Sequence, residues 1–190
     1  MSTAVMTERI TEASPSLKAR IAGVCYLLCF VTGICALLVR GRLGLVASLT
    51  AGACYVAVTL LFYYLFKPVS RRLSLLAAII SLVGCAMGPL SLLVHAASPI
   101  SPLVFFGFYC LLIGYLIFRS TFLPRILGVL MAIAGLGWLT FLWPPLAAYL
   151  TPYVFAPGFL GEGALTLWLL AMGVNAGRWN EQAGVIGRRV

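Results

Sequence analysis

IAGVCYLLCFVTGICALLV, residues 21–39, contains no charged residue and is closed at both ends by an arginine, Arg20 and Arg40. At 1.5 Å per residue, a helix over such a run is about 28 Å long, close to the roughly 30 Å of hydrocarbon in a bilayer. The run predicts a membrane-crossing helix. It is longer than the apolar part of a secretory signal, and it ends in Leu37-Leu38-Val39-Arg40 rather than at a small-x-small cleavage site. It is therefore read as a retained first span.

Five further runs of similar character follow. They cover about residues 45–66, stopped by Lys67 and Pro68; 73–94, begun by Arg71-Arg72 and ended at His95; 103–118, halted at Arg119; 126–143, halted at Pro144-Pro145; and 155–174, interrupted by Gly158, Gly161 and Gly163. Between the first two, Arg40 to Gly44 leaves room only for a tight hairpin, with glycine supplying the backbone freedom. The expected fold class is all-α, a polytopic bundle of six spans with both termini cytoplasmic. Residues 1–18 read as a polar N-terminal tail, 19–177 as the six-helix domain and 178–190 as a basic C-terminal tail.

Composition agrees. Of 190 residues, 63% are hydrophobic and 9% charged, against about 45–50% and about 25% in ordinary soluble domains. That excludes a soluble globule and, with so many long apolar runs, a disordered chain. A formal charge of +9 in a soluble protein would suggest nucleic acid. Here the six-span drawing places 11 of the 13 basic residues on one side, leaving only Arg40 and Arg42 on the other. Basic loops are retained in the cytoplasm during insertion, so the charge is an orientation signal and no nucleic-acid partner is expected. The implied location is a bacterial inner membrane. Membrane lipids are the expected partners, with anionic headgroups near Arg71-Arg72 and Arg188-Arg189; homo-oligomerisation stays open.

Aromatic residues fall at the ends of the runs, Trp138, Trp143, Tyr149 and Tyr153 at one boundary and Tyr63, Tyr64, Phe66 and Trp179 at the other. This placement predicts interfacial belts. Gly84 and Gly88 form a G-x-x-x-G, and Gly128 with Ala132 a small-x-x-x-small, patterns that let helices approach closely in lipid.

Glu162 is the one acid inside a predicted span, about 10 Å below the outer boundary by helical rise. An intramembrane carboxyl is a functional-site hypothesis by default, facing the bundle interior or a wet cavity. Thr166 lies one turn further on the same face. The structural alternative is a carboxyl satisfied by hydroxyls or paired with Arg40 or His95. His95 is the single histidine, one turn after Ser91. Intramembrane serine proteases draw that pair from different helices and need a G-x-S-x-G-like turn, absent here, so an interfacial histidine is the favoured reading. All six cysteines lie within predicted spans and read as packing groups; Cys25 and Cys29 share a face, but no methionine or histidine cluster supports a soft metal beside them. No metal site, nucleotide cradle or cofactor is expected.

The segments around Arg20–Leu28, Leu65–Arg72, Phe105–Leu130 and Gly161–Leu170 together resemble the domain-of-unknown-function 4386 family of bacterial membrane proteins. The resemblance covers about Arg20 to Asn175. It implies a multi-pass helical protein with no assigned activity, substrate or cofactor. Glu162 matches the family's Gly-Glu motif. Many relatives have a longer outer segment after the first span, an arginine at the position of Ser81 and often a histidine at that of Tyr109, so a fixed ion pair to Glu162 is in doubt here.

Three functions fit these residues. The first is a small transporter or permease-like protein using Glu162 as its binding site, with Thr166, His95 and Tyr109 as further candidates. The second, less favoured, is a membrane enzyme acting on a lipid or isoprenoid through Glu162, Tyr109 and His95. The third is a structural or assembly subunit.

Overall fold

Proline after a capping serine begins two of the long helices. Ser14 accepts from the Leu17 amide at 3.2 Å before Pro15, and Ser101 accepts from the Leu103 amide at 3.3 Å before Pro102. The proline has no amide to leave unpaired in the first turn, and its fixed φ suits a helix start. The computed structural model describes residues 14–94 and 101–187, without the side chains of 88–94 and 185–187. These form α1 (Pro15–Leu38), α2 (Arg42–Phe66), α3 (Arg71–Val94), α4 (Pro102–Arg119), α5 (Arg125–Leu139), α6 (Pro144–Leu150), α7 (Phe155–Ala171) and α8 (Ala176–Gly187), with a 3-10 turn at Thr140–Leu142 extending α5. The described chain is all-helical.

Four helical stretches, Pro15–Leu38, Arg42–Phe66, Pro102–Arg119 and Arg125–Leu142, are long and apolar enough to cross a membrane. The short α6 and α7, bent by 79° from each other, together make a fifth candidate. The stretch between the runs at 126–143 and 155–174 therefore contains a helix of its own. Exposure is inverted relative to a soluble domain: Leu37 and Leu43 are 80% and 74% exposed, while Glu162, Thr166, Thr59, Ser74 and Ser81 are buried. Apolar side chains pointing outward need lipid around them.

The six longer helices close into a ring. Each of α1 to α4 packs on the next, α7 packs on α5, and α7 returns to α1. Two turns rely on left-handed glycine. Gly41 (φ 80°) turns the chain between α1 and α2, as the hairpin reading expects, and Gly173 (φ 65°) ends α7 with its amide shared by the Trp168 and Leu169 carbonyls.

Between α4 and α5 the backbones touch. A Cβ built on Gly114 would lie 2.7 Å from the Gly128 carbonyl oxygen, and one built on Gly135 would lie 2.8 Å from that of Gly107. The antiparallel pairs 107/135 and 114/128 are seven residues apart on each helix, so two helical turns separate two backbone contacts in one register. Gly128 thus makes the close approach its pattern suggested. Gly84 packs on Phe105 and Phe106 of α4, whereas the side-chain surroundings of position 88 lie outside the described residues.

The aromatic belts are only partly realised. Trp143, Tyr149 and Tyr153 are exposed, but Phe66 is fully buried, and Trp138 and Trp179 turn polar atoms inward. Trp179 donates from Nε1 to the Leu65 carbonyl at 2.8 Å, filling one of the acceptors that the C-terminal turn of α2 leaves free. Gln182 adds a second tie, its Oε1 accepting from both the amide and the hydroxyl of Thr121 at 3.2 Å. The segment after Asn175 is thereby fastened to the ends of α2 and α4. Trp179→Phe keeps the ring and removes the donor, so stability should fall by about 1 kcal/mol. Thermal unfolding in mild detergent measures this, and Trp179→Ala should cost more because the packing goes too.

Candidate functional site

Glu162 sits in the middle of α7, where glycine clears its surroundings. A Cβ at Gly161 would collide with the Leu130 backbone of α5, and one at Gly158 with the Trp138 indole. These contacts seat α7 against α5, next to the carboxyl that follows Gly161. Gly163 faces open space and plays no such part.

The carboxyl is 5% exposed and bridges four helices. Tyr26 of α1 donates its hydroxyl to Oε2 at 2.5 Å, and Trp138 of α5 donates Nε1–H to Oε1 at 2.6 Å. The Cys110 thiol of α4 makes a longer contact to Oε1 at 3.7 Å. All three partners are neutral. Of the alternatives open from sequence, the hydroxyl partner is the one observed: Arg40 is exposed, and no ion pair forms among the described residues. His95 lies outside the described residues, as does any relation it has to Ser91 or Glu162.

Thr166 is buried beside Glu162 but does not reach the carboxyl. Its Oγ1 donates to the Glu162 main-chain carbonyl at 2.7 Å, a bond within α7. Mid-helix threonine commonly satisfies itself this way. Tyr109 is 1% exposed and belongs to an aromatic group with Tyr55, the rings 5.9 Å apart; Tyr26 meets Tyr55 edge-on at 5.7 Å. The Tyr55 and Tyr109 hydroxyls have no hydrogen-bond partner among the described residues. On the α3 side, Ser81 is fully buried and shares a 2.6 Å hydrogen bond with Thr59.

The structure thus brings Glu162 together with Tyr26, Trp138 and Cys110, and sets Tyr55 beside Tyr26 and Tyr109 beside Tyr55. Sequence reasoning missed Tyr26 and Trp138. The available signal for Tyr26 was a phenol deep inside an apolar run, where a hydroxyl needs a partner. The position of Trp138 along α5 gives its depth but not its direction, so sequence alone places it at the boundary. Among the described residues no group of three or more histidines, cysteines or acids is placed to hold a metal. An open cleft of about 450 Å³ lies elsewhere, lined by Thr121, Arg178, Glu181 and Gln182.

Comparison with known proteins adds kinship rather than chemistry. An uncharacterised protein from Archaeoglobus fulgidus is 29% identical over 127 residues, covering 62% of this chain and 76% of its own. No solved structure matches the chain. The family model described as Domain of unknown function (DUF4386) matches residues 40–100 and 90–173, which include α7 and the Gly-Glu pair at 161–162. On that match, the chain belongs to the DUF4386 family.

Proposed function

We propose that the chain is a small carrier of the inner membrane, spanning it six times with both termini cytoplasmic, and that the Glu162 carboxyl is its exchange site. The observation that carries this reading is the pairing of a buried intramembrane carboxyl with a hydroxyl that can work in either direction. Tyr26 can donate to an ionised Oε2 or accept from a protonated one, whereas the Trp138 indole can only donate, so Oε1 stays an acceptor throughout. One geometry therefore accommodates both charge states. Intramembrane acids in such surroundings commonly mark ion or proton paths. The 11 to 2 division of basic residues supports the orientation.

A second reading, a structural clasp inside an assembly subunit, draws on the same satisfaction of both carboxyl oxygens by donors from other helices. Flux separates the two. Vesicles containing the purified protein and an internal pH-sensitive dye are given a pH difference with a compensating potassium potential. The carrier reading expects proton entry above that of protein-free vesicles, and Glu162→Gln should return it to the protein-free rate. Equal rates in wild type and Glu162→Gln would overturn the exchange role and leave the clasp.

A further inference from the structure

Two arginines flank the turn from α4 to α5, and each guanidinium lies over an aromatic ring. Arg119 stands 5.9 Å from the centre of the Tyr115 ring and donates from Nη1 to the Tyr115 hydroxyl at 3.3 Å. Arg125 stands 5.6 Å from the centre of the Phe118 ring. Both rings are about half exposed on the outside of the bundle. They are three residues apart, so they neighbour each other on one face of α4. Among the described residues, Lys18 over Tyr64 at 5.9 Å is the other such pairing at this end of the ring, and it is a single cation. The turn that carries the arginines is fixed from within. Ser120 donates its hydroxyl to the Ile117 carbonyl at 2.8 Å, Phe122 packs on Phe66 with ring centres 6.0 Å apart, and Leu123 is buried. Donors held in place this way lose little freedom on binding.

We propose that Arg119 and Arg125 form a binding site for one anionic phospholipid, its phosphate held by both guanidiniums and an acyl chain lying along the seam between α4 and α5. Charge complementarity favours this occupant. Neither guanidinium meets a carboxylate among the described residues, and the planar fork of arginine matches phosphate oxygens. The seam supplies the apolar half of the site. A Cβ at Gly128 would lie 3.3 Å from the Phe118 Cβ, so Phe118 lies where the two helices meet, and on α5 the adjoining Ile126 and Val129 are 60% and 43% exposed. A zwitterionic phospholipid fits less well, because it brings its own ammonium toward two like charges. The inference rests on the membrane-spanning reading and is independent of exchange at Glu162.

The test is native mass spectrometry of the full chain in mild detergent, titrated with phosphatidylglycerol. One molecule should bind ahead of the rest, and the double variant Arg119→Gln/Arg125→Gln should weaken that first binding by about thirtyfold, or about fivefold for each charge. Arg71→Gln/Arg72→Gln removes the same charge from two exposed arginines at the start of α3 and should leave the first binding as it is. Unchanged affinity in the first double variant would overturn the site, and so would equal weakening in the second, which would make the attraction one of overall charge. Phosphatidylethanolamine binding as tightly as phosphatidylglycerol would overturn the choice of an anionic lipid. Glycerol phosphate in excess should not displace the bound lipid; displacement would overturn the acyl-chain half of the site. Glu162→Gln should bind phosphatidylglycerol as wild type does, so that loss of the flux prediction leaves this site standing.

Discussion

Gly114→Val is expected to leave little correctly assembled protein. The Cβ it adds would sit 2.7 Å from the Gly128 carbonyl oxygen and 3.1 Å from the Ala132 amide, and neither is a side chain that can swing away. Overpacking an ordinary core costs about 1–3 kcal/mol. Here the obstacle is backbone, so α4 and α5 must separate, which releases the second contact at Gly107 and Gly135 as well. A loss of at least about 3 kcal/mol follows on the overpacking scale, and Gly128→Val should behave alike because its Cβ meets the Gly114 carbonyl at 2.6 Å. Thermal unfolding and monodispersity in mild detergent provide the measure. Gly163→Ala is the control, since nothing lies within 4 Å of that Cβ. It should change stability by less than about 1 kcal/mol, in the favourable direction that alanine has over glycine within a helix. An equal loss at both positions would mean that helix propensity, not close approach, sets the requirement for glycine.

The second large effect is expected at Glu162, where two substitutions should diverge. Glu162→Ala removes the acceptor from both the Tyr26 hydroxyl and the Trp138 indole, leaving two buried donors unpaired. At about 1–3 kcal/mol for each donor left unsatisfied, and about 0.6–2 kcal/mol for an interhelical hydrogen bond in a bilayer, the total loss should be about 2–4 kcal/mol. Glu162→Gln keeps an oxygen for Trp138 and offers an amide hydrogen to the Tyr26 oxygen, so it should cost less than about 1 kcal/mol. That ordering lets the glutamine variant serve in the flux experiment as a folded protein lacking only the titratable group. Alanine matching wild type in stability would show that the four-helix bridge contributes no cohesion.

Helix positions were legible because a charge-free run between arginines or prolines fixes both length and ends. The runs proposed at 103–118 and 126–143 differ little from Pro102–Arg119 and Arg125–Leu142. Glu162 stood out for the same reason, as an acid among apolar residues. What the sequence hid was direction. Period and depth place Trp138 near a helix end, but its indole turns inward because Gly158 lacks a side chain and Glu162 offers an acceptor, both on another helix. The heptad spacing of Gly107 with Gly114 and Gly128 with Gly135 was equally hidden, since each pair acquires meaning only once the two helices lie antiparallel in register. Partners such as Tyr26 and Glu162, 136 residues apart, meet through ring closure, which no local pattern encodes.

The unequal spacing of the helices decides which parts of the ring can come apart. Prising α4 from α5 would expose two stretches of glycine backbone to hydrocarbon, and the same close approach holds α7 to α5 at Gly161. Those three helices behave as one stiff slab bearing Glu162, Trp138 and Cys110. Tyr26, carried by α1, is joined to Glu162 on that slab by a single hydrogen bond, while less than a turn before it on α1 Gly23 lies against the Leu170 backbone. The carboxyl is therefore held between a slab that cannot open without baring its own backbone and a helix whose polar tie to it is one hydrogen bond.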